Sequence, residues 1–269
     1  MCFILETELM PTEMEDYLFD LRGYIILKNA IDPDHIHELN AGLDALKPED
    51  PKWGWKGHLY RRPGGDQTQQ IFEAGEPFER LIDHPSWLDH VSHYVGETDG
   101  LFIDEAVAII RGPGGAIRLH SGGHKRRIRT QFRFHDNMFR CGQINVMIAL
   151  TEFGPGDGAT MVIPGSHKAN LLHPAFHLDI RETASLENVE CAVEAHISAG
   201  DALLFVDCLA HGSARRSNPG QRRSILYRYG PKWGHNRGGY EPSNELLERL
   251  TPERRKIIQP ISPKLPPGK

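Results

Sequence analysis

From about Leu101 onward the chain predicts a mainly β fold, an antiparallel sandwich or jelly roll with helices packed outside it. Short apolar segments, among them EAVAIIR, GQINVMIALTEF, ATMVI, VECAVEAHI, ALLFV and RSILYRYG, follow one another with Gly, Pro and Asn turn signals between them. No long helical period separates these segments, which argues against a parallel βαβ sheet. The run ALLFV, opened by the turn Ala199-Gly200-Asp201, is apolar at every position, as expected of a strand buried on both faces.

The elements before and after this region read as helices. Residues 12–22 and 32–46 are amphipathic, the second opening on Asp32 or Asp34 as a cap, and GYIILKNA between them is a short strand. Residues 49–70 are rich in Gly, Pro and Trp without a sustained period and predict a long loop beside a pocket. Residues 76–95 return to helix on the stripe Phe78, Leu81, Ile82, Trp87, Leu88 and Val91, with Pro85 marking a break. SNELLERLTPERRKII is a further helical patch before a Pro-rich tail. The expectation is a single domain over 1–269. Residues from 1 to about 100 pack on a jelly-roll core of about 101–235, and 236–269 add a helix and tail.

Composition removes several functional classes. A formal net charge of −5 argues against general adhesion to nucleic acid or membrane. No apolar run approaches the roughly 18 residues needed to span a bilayer, and the opening MCFILETELMPTEMEDY lacks a basic n-region. A soluble, cytoplasmic protein is expected. Cys2, Cys141, Cys191 and Cys208 are scattered without a Cys-x-x-Cys pair, so neither a disulfide framework nor a thiolate zinc site is predicted.

The chemistry concentrates in GDALLFVDCLAHGSARRSNPGQRR. His211 stands where the apolar run gives way to polar residues, and Arg222 follows eleven positions later, after a Ser-Asn-Pro-Gly turn that returns the chain. Imidazole is a common ligand of redox metals, and a guanidinium grips a carboxylate through two parallel hydrogen bonds. Taken alone, the pair also reads as a solvated strand-end histidine and a surface arginine. Arg223 should face away from Arg222 by strand alternation. The segment RLHSGGH, residues 118–124, lies where a second ligand strand would pass.

At these residues the chain resembles the phytanoyl-CoA dioxygenase family of iron(II)- and 2-oxoglutarate-dependent oxygenases. FDLRGYIILKNAID, FERLIDHPSWLDHVSHYVG and NVMIALTEFGPGDGATMVIPGSHK are similar to that family's N-terminal strand, pre-barrel helix and Pro-Gly-Ser-His segment. GDALLFVDCLAHGS followed by Arg222 matches its distal metal histidine, the serine two positions on and the 2-oxoglutarate arginine. The resemblance implies a cupin-like double-stranded β-helix that oxidises a small molecule with Fe(II), dioxygen and 2-oxoglutarate, releasing succinate and carbon dioxide. His120 and His211 would hold iron, and Arg222 with Ser213 the distal carboxylate of 2-oxoglutarate. His167 is read as structural.

The chain departs from the family at one position. Where the family has His-x-Asp, this sequence has His120-Ser121-Gly122, and glycine has no ligating atom. One reading is a halogenase in which chloride enters the place left at Gly122. A second is an oxygenase whose missing ligand is supplied elsewhere, by His124 on its Gly-Gly hinge or by Asp136 or Asp207. A third is a cupin-like protein that binds metal or carboxylate without turnover. HKRRIRTQFRFH carries Lys125, Arg126, Arg127, Arg129 and Arg133, which predict an anionic substrate if they border the metal. Phe132 and Phe134 would be stacking partners in a less favoured nucleic-acid variant. The substrate and the oligomeric state are left open.

Overall fold

The computed structural model describes residues 10–47, 49–50, 59–62, 65–96, 100–122, 130–177, 186–234 and 241–259. Two antiparallel sheets face each other. The chain begins with α1 (Glu13–Arg22), β1 (Tyr24–Leu27) and α2 (Pro33–Ala45), then the hairpin β2 (Leu59–Arg62) and β3 (Gly65–Gln69). The helices α3 (Glu76–Glu79) and α4 (Leu88–Val95) lead into β4 (Leu101–Arg111), β5 (Ile117–His120), the small hairpin β6 (Phe134–His135) and β7 (Met138–Phe139), and β8 (Ile144–Ala149). There follow β9 (Thr160–Val162), β10 (Val193–Ala195), β11 (Ala202–Val206), β12 (His211–Ser213) and β13 (Arg222–Pro231), then α5 (Asn244–Arg249) and α6 (Pro252–Ile258). The large sheet runs β1-β11-β8-β13-β4-β3-β2 and the small one β10-β9-β12-β5.

Local chemistry sets the helix ends. Thr12 and Glu15 form a reciprocal capping box at the start of α1, and Gly23 ends it in the left-handed region at φ 81°. Asp32, not Asp34, caps α2 by accepting the His35 N–H at 2.9 Å, with Pro33 preset for the first turn.

Strand alternation sorts β13 into two faces. Tyr227 and Tyr229 point to the helical layer, where their hydroxyls donate to the Phe78 and Leu81 carbonyls and Trp87 Nε1 donates to Tyr229. Arg222, Ser224, Leu226 and Arg228 alternate with them toward the small sheet. The sheets meet through Phe205 against His211, with ring centroids 4.9 Å apart, and through Thr160 against the Met147 sulfur. A polar interior therefore lies between two apolar layers.

Several expectations are corrected. Residues 59–62 and 65–69 form a hairpin on the edge of the large sheet. Its polar sequence hid it, because an edge strand needs no apolar alternation. The helix expected over 76–95 is two helices separated by turns around Pro85, and the C-terminal patch breaks at Thr251, which caps α6. His211 does not end the ALLFV strand. A turn over 207–210 carries the chain out of the large sheet, and His211 opens β12 in the small one.

Candidate metal and co-substrate site

Strands β5 and β12 pair so that His211 lies opposite His120, with ring centroids 4.2 Å apart. Nδ1 of each donates to the backbone carbonyl two residues earlier, His120 to Arg118 at 2.9 Å and His211 to Leu209 at 2.7 Å. Those bonds fix the tautomer and leave Nε2 of both rings as the lone-pair nitrogen, the arrangement of ligating histidines. Burial depresses both pKa values, and for His211 the nearby His120 adds to the effect. Both imidazoles are thus held neutral, the form that binds metal.

Ser213, two positions beyond His211 on the same face, sits beside a cluster of arginines. Arg222 is 2% exposed, donates to the Gly158 carbonyl and lies over the Phe153 ring at 4.6 Å. Its cross-strand partner is Arg111, also buried, which donates to Ser213 Oγ at 2.6 Å and to the Gly115 carbonyl at 2.8 Å. Burial first, then Arg111 and Arg216, push the pKa of Arg222 down to about 9. Among the described residues the acid that offsets this is Asp157, itself engaged with Arg216 at 2.9 Å. Buried cations in excess of anions fit a ligand with carboxylates. Arg223 turns outward to Asp44 on α2 at 2.6 Å, as alternation requires.

At the position expected to hold an aspartate, a carboxylate approaches from the turn after β11. A Cβ built on Gly122 would lie 1.8 Å from Asp207 Oδ2 and 2.8 Å from Thr130 Cβ. Asp207 belongs to the turn that leaves β11. Its Oδ1 accepts from Asn145 Nδ2 at 3.2 Å and from Arg228 at 3.4 Å, and Arg228 is also paired with Glu105 at 2.9 Å.

The other sequence candidates fall differently. His124, Lys125, Arg126, Arg127 and Arg129 lie outside the described residues. Asp136 is exposed at the tip of the β6–β7 hairpin beside His135, and its left-handed φ of 54° marks a turn residue. Phe132, considered for base stacking, instead packs among Phe19, Phe139 and His167. His167 is buried and bonded to the Asp20 carbonyl at 3.0 Å, a structural part. An open cleft of about 1200 Å³ is lined by Ser121 and Ala210, next to the two histidines, but by neither histidine, and so backs onto the small sheet from outside. Sequence reading missed Arg111, Asn145 and Arg228. An arginine closing the apolar run EAVAIIR, and one inside RSILYRYG on the parity of Arg222, were the available signals.

With this geometry in place, comparison with known proteins is informative. The model of the family Phytanoyl-CoA dioxygenase (PhyH) matches residues 19–224. Dioxygenase cdmD of Talaromyces verruculosus is 27% identical, over 92% of this chain and 84% of its own. Dioxygenase aneA of Aspergillus aculeatus is 32% identical, over 91% of this chain and 82% of its own. Among solved structures, HygX from Streptomyces hygroscopicus with nickel and 2-oxoglutarate bound superposes with a TM-score of 0.71 at 22% identity, covering 82% of this chain and 87% of that one, a likeness of fold. The family match spans the histidine pair and the buried Arg111, Arg216 and Arg222, and with it the chain belongs to the phytanoyl-CoA dioxygenase family and is a dioxygenase.

Proposed function

We propose that the protein uses iron(II) and 2-oxoglutarate to oxidise a small, anionic organic molecule, by hydroxylation or a related oxidation. The observation that carries this reading is the cross-strand pair of His120 and His211, each with Nδ1 committed to a carbonyl and Nε2 left for a metal. Arg222 would hold the distal carboxylate of 2-oxoglutarate, with Arg111 beside it. Ser213 Oγ already accepts from Arg111 and from the Ile117 N–H, so its own proton is directed to a further acceptor such as that carboxylate. His120 and His211 would hold iron(II), which would supply the activation of dioxygen for an oxidation coupled to 2-oxoglutarate decarboxylation.

Arg118, exposed on β5 with the same parity as His120, supports an anionic substrate, as does the basic sequence 125–129. The halogenase reading requires an open place at Gly122, and the Asp207 carboxylate standing there counts against it. The test is an anaerobic titration with Fe(II) and 2-oxoglutarate, followed by admission of oxygen and assay of succinate. Wild type should form the charge-transfer complex and release succinate. His211→Ala should lose the complex, and an unchanged complex in that variant would sink the assignment.

A further inference from the structure

We propose that Asp207 supplies the carboxylate of the metal site, reaching it from the turn after β11 through the space that Gly122 leaves two residues beyond His120. The proposal rests on the two-histidine reading above and adds the third protein ligand that the His-x-Gly sequence lacks.

Backbone pairing makes the substitution specific to this place. The Gly122 N–H donates to the Asp207 carbonyl at 2.9 Å, and Ser121 Oγ donates to the Cys208 carbonyl at 3.0 Å, so residues 121–122 and 207–208 are joined side by side. Asp207 precedes His211 by four residues, and one turn therefore delivers both groups to the same end of the small sheet. The carboxylate oxygen stands where the first side-chain atom of residue 122 would be. Any side chain at 122 would displace it, so a ligand at 122 and a carboxylate from 207 exclude each other. Asn145 and Arg228 hold the other oxygen and orient the group from the large sheet.

Among the described residues no group of three His, Cys, Asp or Glu side chains is placed, as it stands, to hold a metal ion. Ligation therefore needs the Asp207 side chain to turn from the Gly122 cradle toward the histidine nitrogens.

The experiment is anaerobic calorimetry with Fe(II), with and without 2-oxoglutarate, on wild type, Asp207→Asn, His211→Ala and the exchange Gly122→Asp/Asp207→Gly, which empties the space a side chain at 122 needs. Asp207→Asn should lose more than about 100-fold in Fe(II) affinity, beyond the roughly 10- to 100-fold typical of a merely supporting group. The exchange variant should recover most of that loss. A smaller loss in Asp207→Asn, with binding still abolished in His211→Ala, overturns this proposal alone. Unchanged binding in His211→Ala overturns the reading beneath it. If Asp207→Asn does not fold, the wild type decides: chloride should leave the spectrum of its Fe(II) and 2-oxoglutarate complex unchanged, and a chloride-dependent shift would show the place open and overturn the proposal.

Discussion

The two ends of the barrel interior arrange their charges differently. At one end Arg111, Arg216 and Arg222 are buried with Asp157 as the acid among them. At the other, Glu105 and Asp207 share Arg228. Among the described residues the first end holds excess positive charge, whereas at the second Arg228 bridges two carboxylates, with the histidine pair on the opposing sheet. An uncompensated buried charge is costly, and an interior normally avoids one. A dianionic co-substrate reaching the arginines would offset the excess there, and carboxylates at the other end suit the approach of a divalent cation. On the proposed function each end would take a different ligand, and the arginine end carries a desolvation cost until its ligand arrives.

The sharpest way to break this comparison is to neutralise the arginine end. Arg222→Met keeps much of the side chain's volume and removes a buried charge. Affinity for 2-oxoglutarate should fall by roughly 2–5 kcal/mol, the scale of losing one partner of a buried charged pair. Without ligand the melting temperature should hold or rise, because replacing poorly compensated buried charge with an apolar side chain is often stabilising. Calorimetry and a thermal melt read both effects. Equal loss of stability and affinity would mean that Arg222 is a structural group.

Much of this arrangement was legible in the sequence, for definable reasons. The apolar runs gave the strands, because burial on both faces requires them, and the Ser-Asn-Pro-Gly turn between Ser213 and Arg222 pointed to a shared pocket, which β12 and β13 border from opposite sheets. Two features were hidden. The edge hairpin at 59–69 has no apolar alternation to detect. The pairing of Gly122 with Asp207 joins residues 85 positions apart, and nothing local to either announces the other. His-x-Gly shows that a carboxylate is missing at that place, and only the fold shows which one lies beside it. Arg111 was overlooked for a related reason, since an arginine at the end of an apolar strand ordinarily reaches solvent.

A smaller effect should follow from Arg111→Met. Its bond to Ser213 Oγ at 2.6 Å makes it a positioning group for the serine as well as a charge beside Arg222. Affinity for 2-oxoglutarate should fall about 10-fold, or about 1.4 kcal/mol. Ser213→Ala added to Arg111→Met should cost less than Ser213→Ala alone, since groups in one hydrogen-bonded network are not additive. Strict additivity in that cycle would separate the two residues and leave Arg222 to act without them.

The smallest effect concerns a buried base that burial does neutralise, in contrast to the arginines. His167 donates from Nε2 to the Asp20 carbonyl, and among the described residues its buried Nδ1 has no hydrogen-bond partner. Burial lowers its pKa to about 4, with Lys168 adding to the shift and Asp20 opposing it. The folded state therefore binds the proton more weakly than the unfolded chain, whose histidine titrates near 6.5. Between about pH 6.5 and 4 the unfolded state holds more protons, so stability is present above that window and declines as pH falls through it. His167→Gln keeps a donor for Asp20 and cannot be protonated. It should flatten the fall in stability between pH 7 and 5 by on the order of 1 kcal/mol, read from denaturant midpoints at each pH. If the slope is the same in both proteins, the acid sensitivity of the fold resides in other groups and His167 is not held neutral by its surroundings.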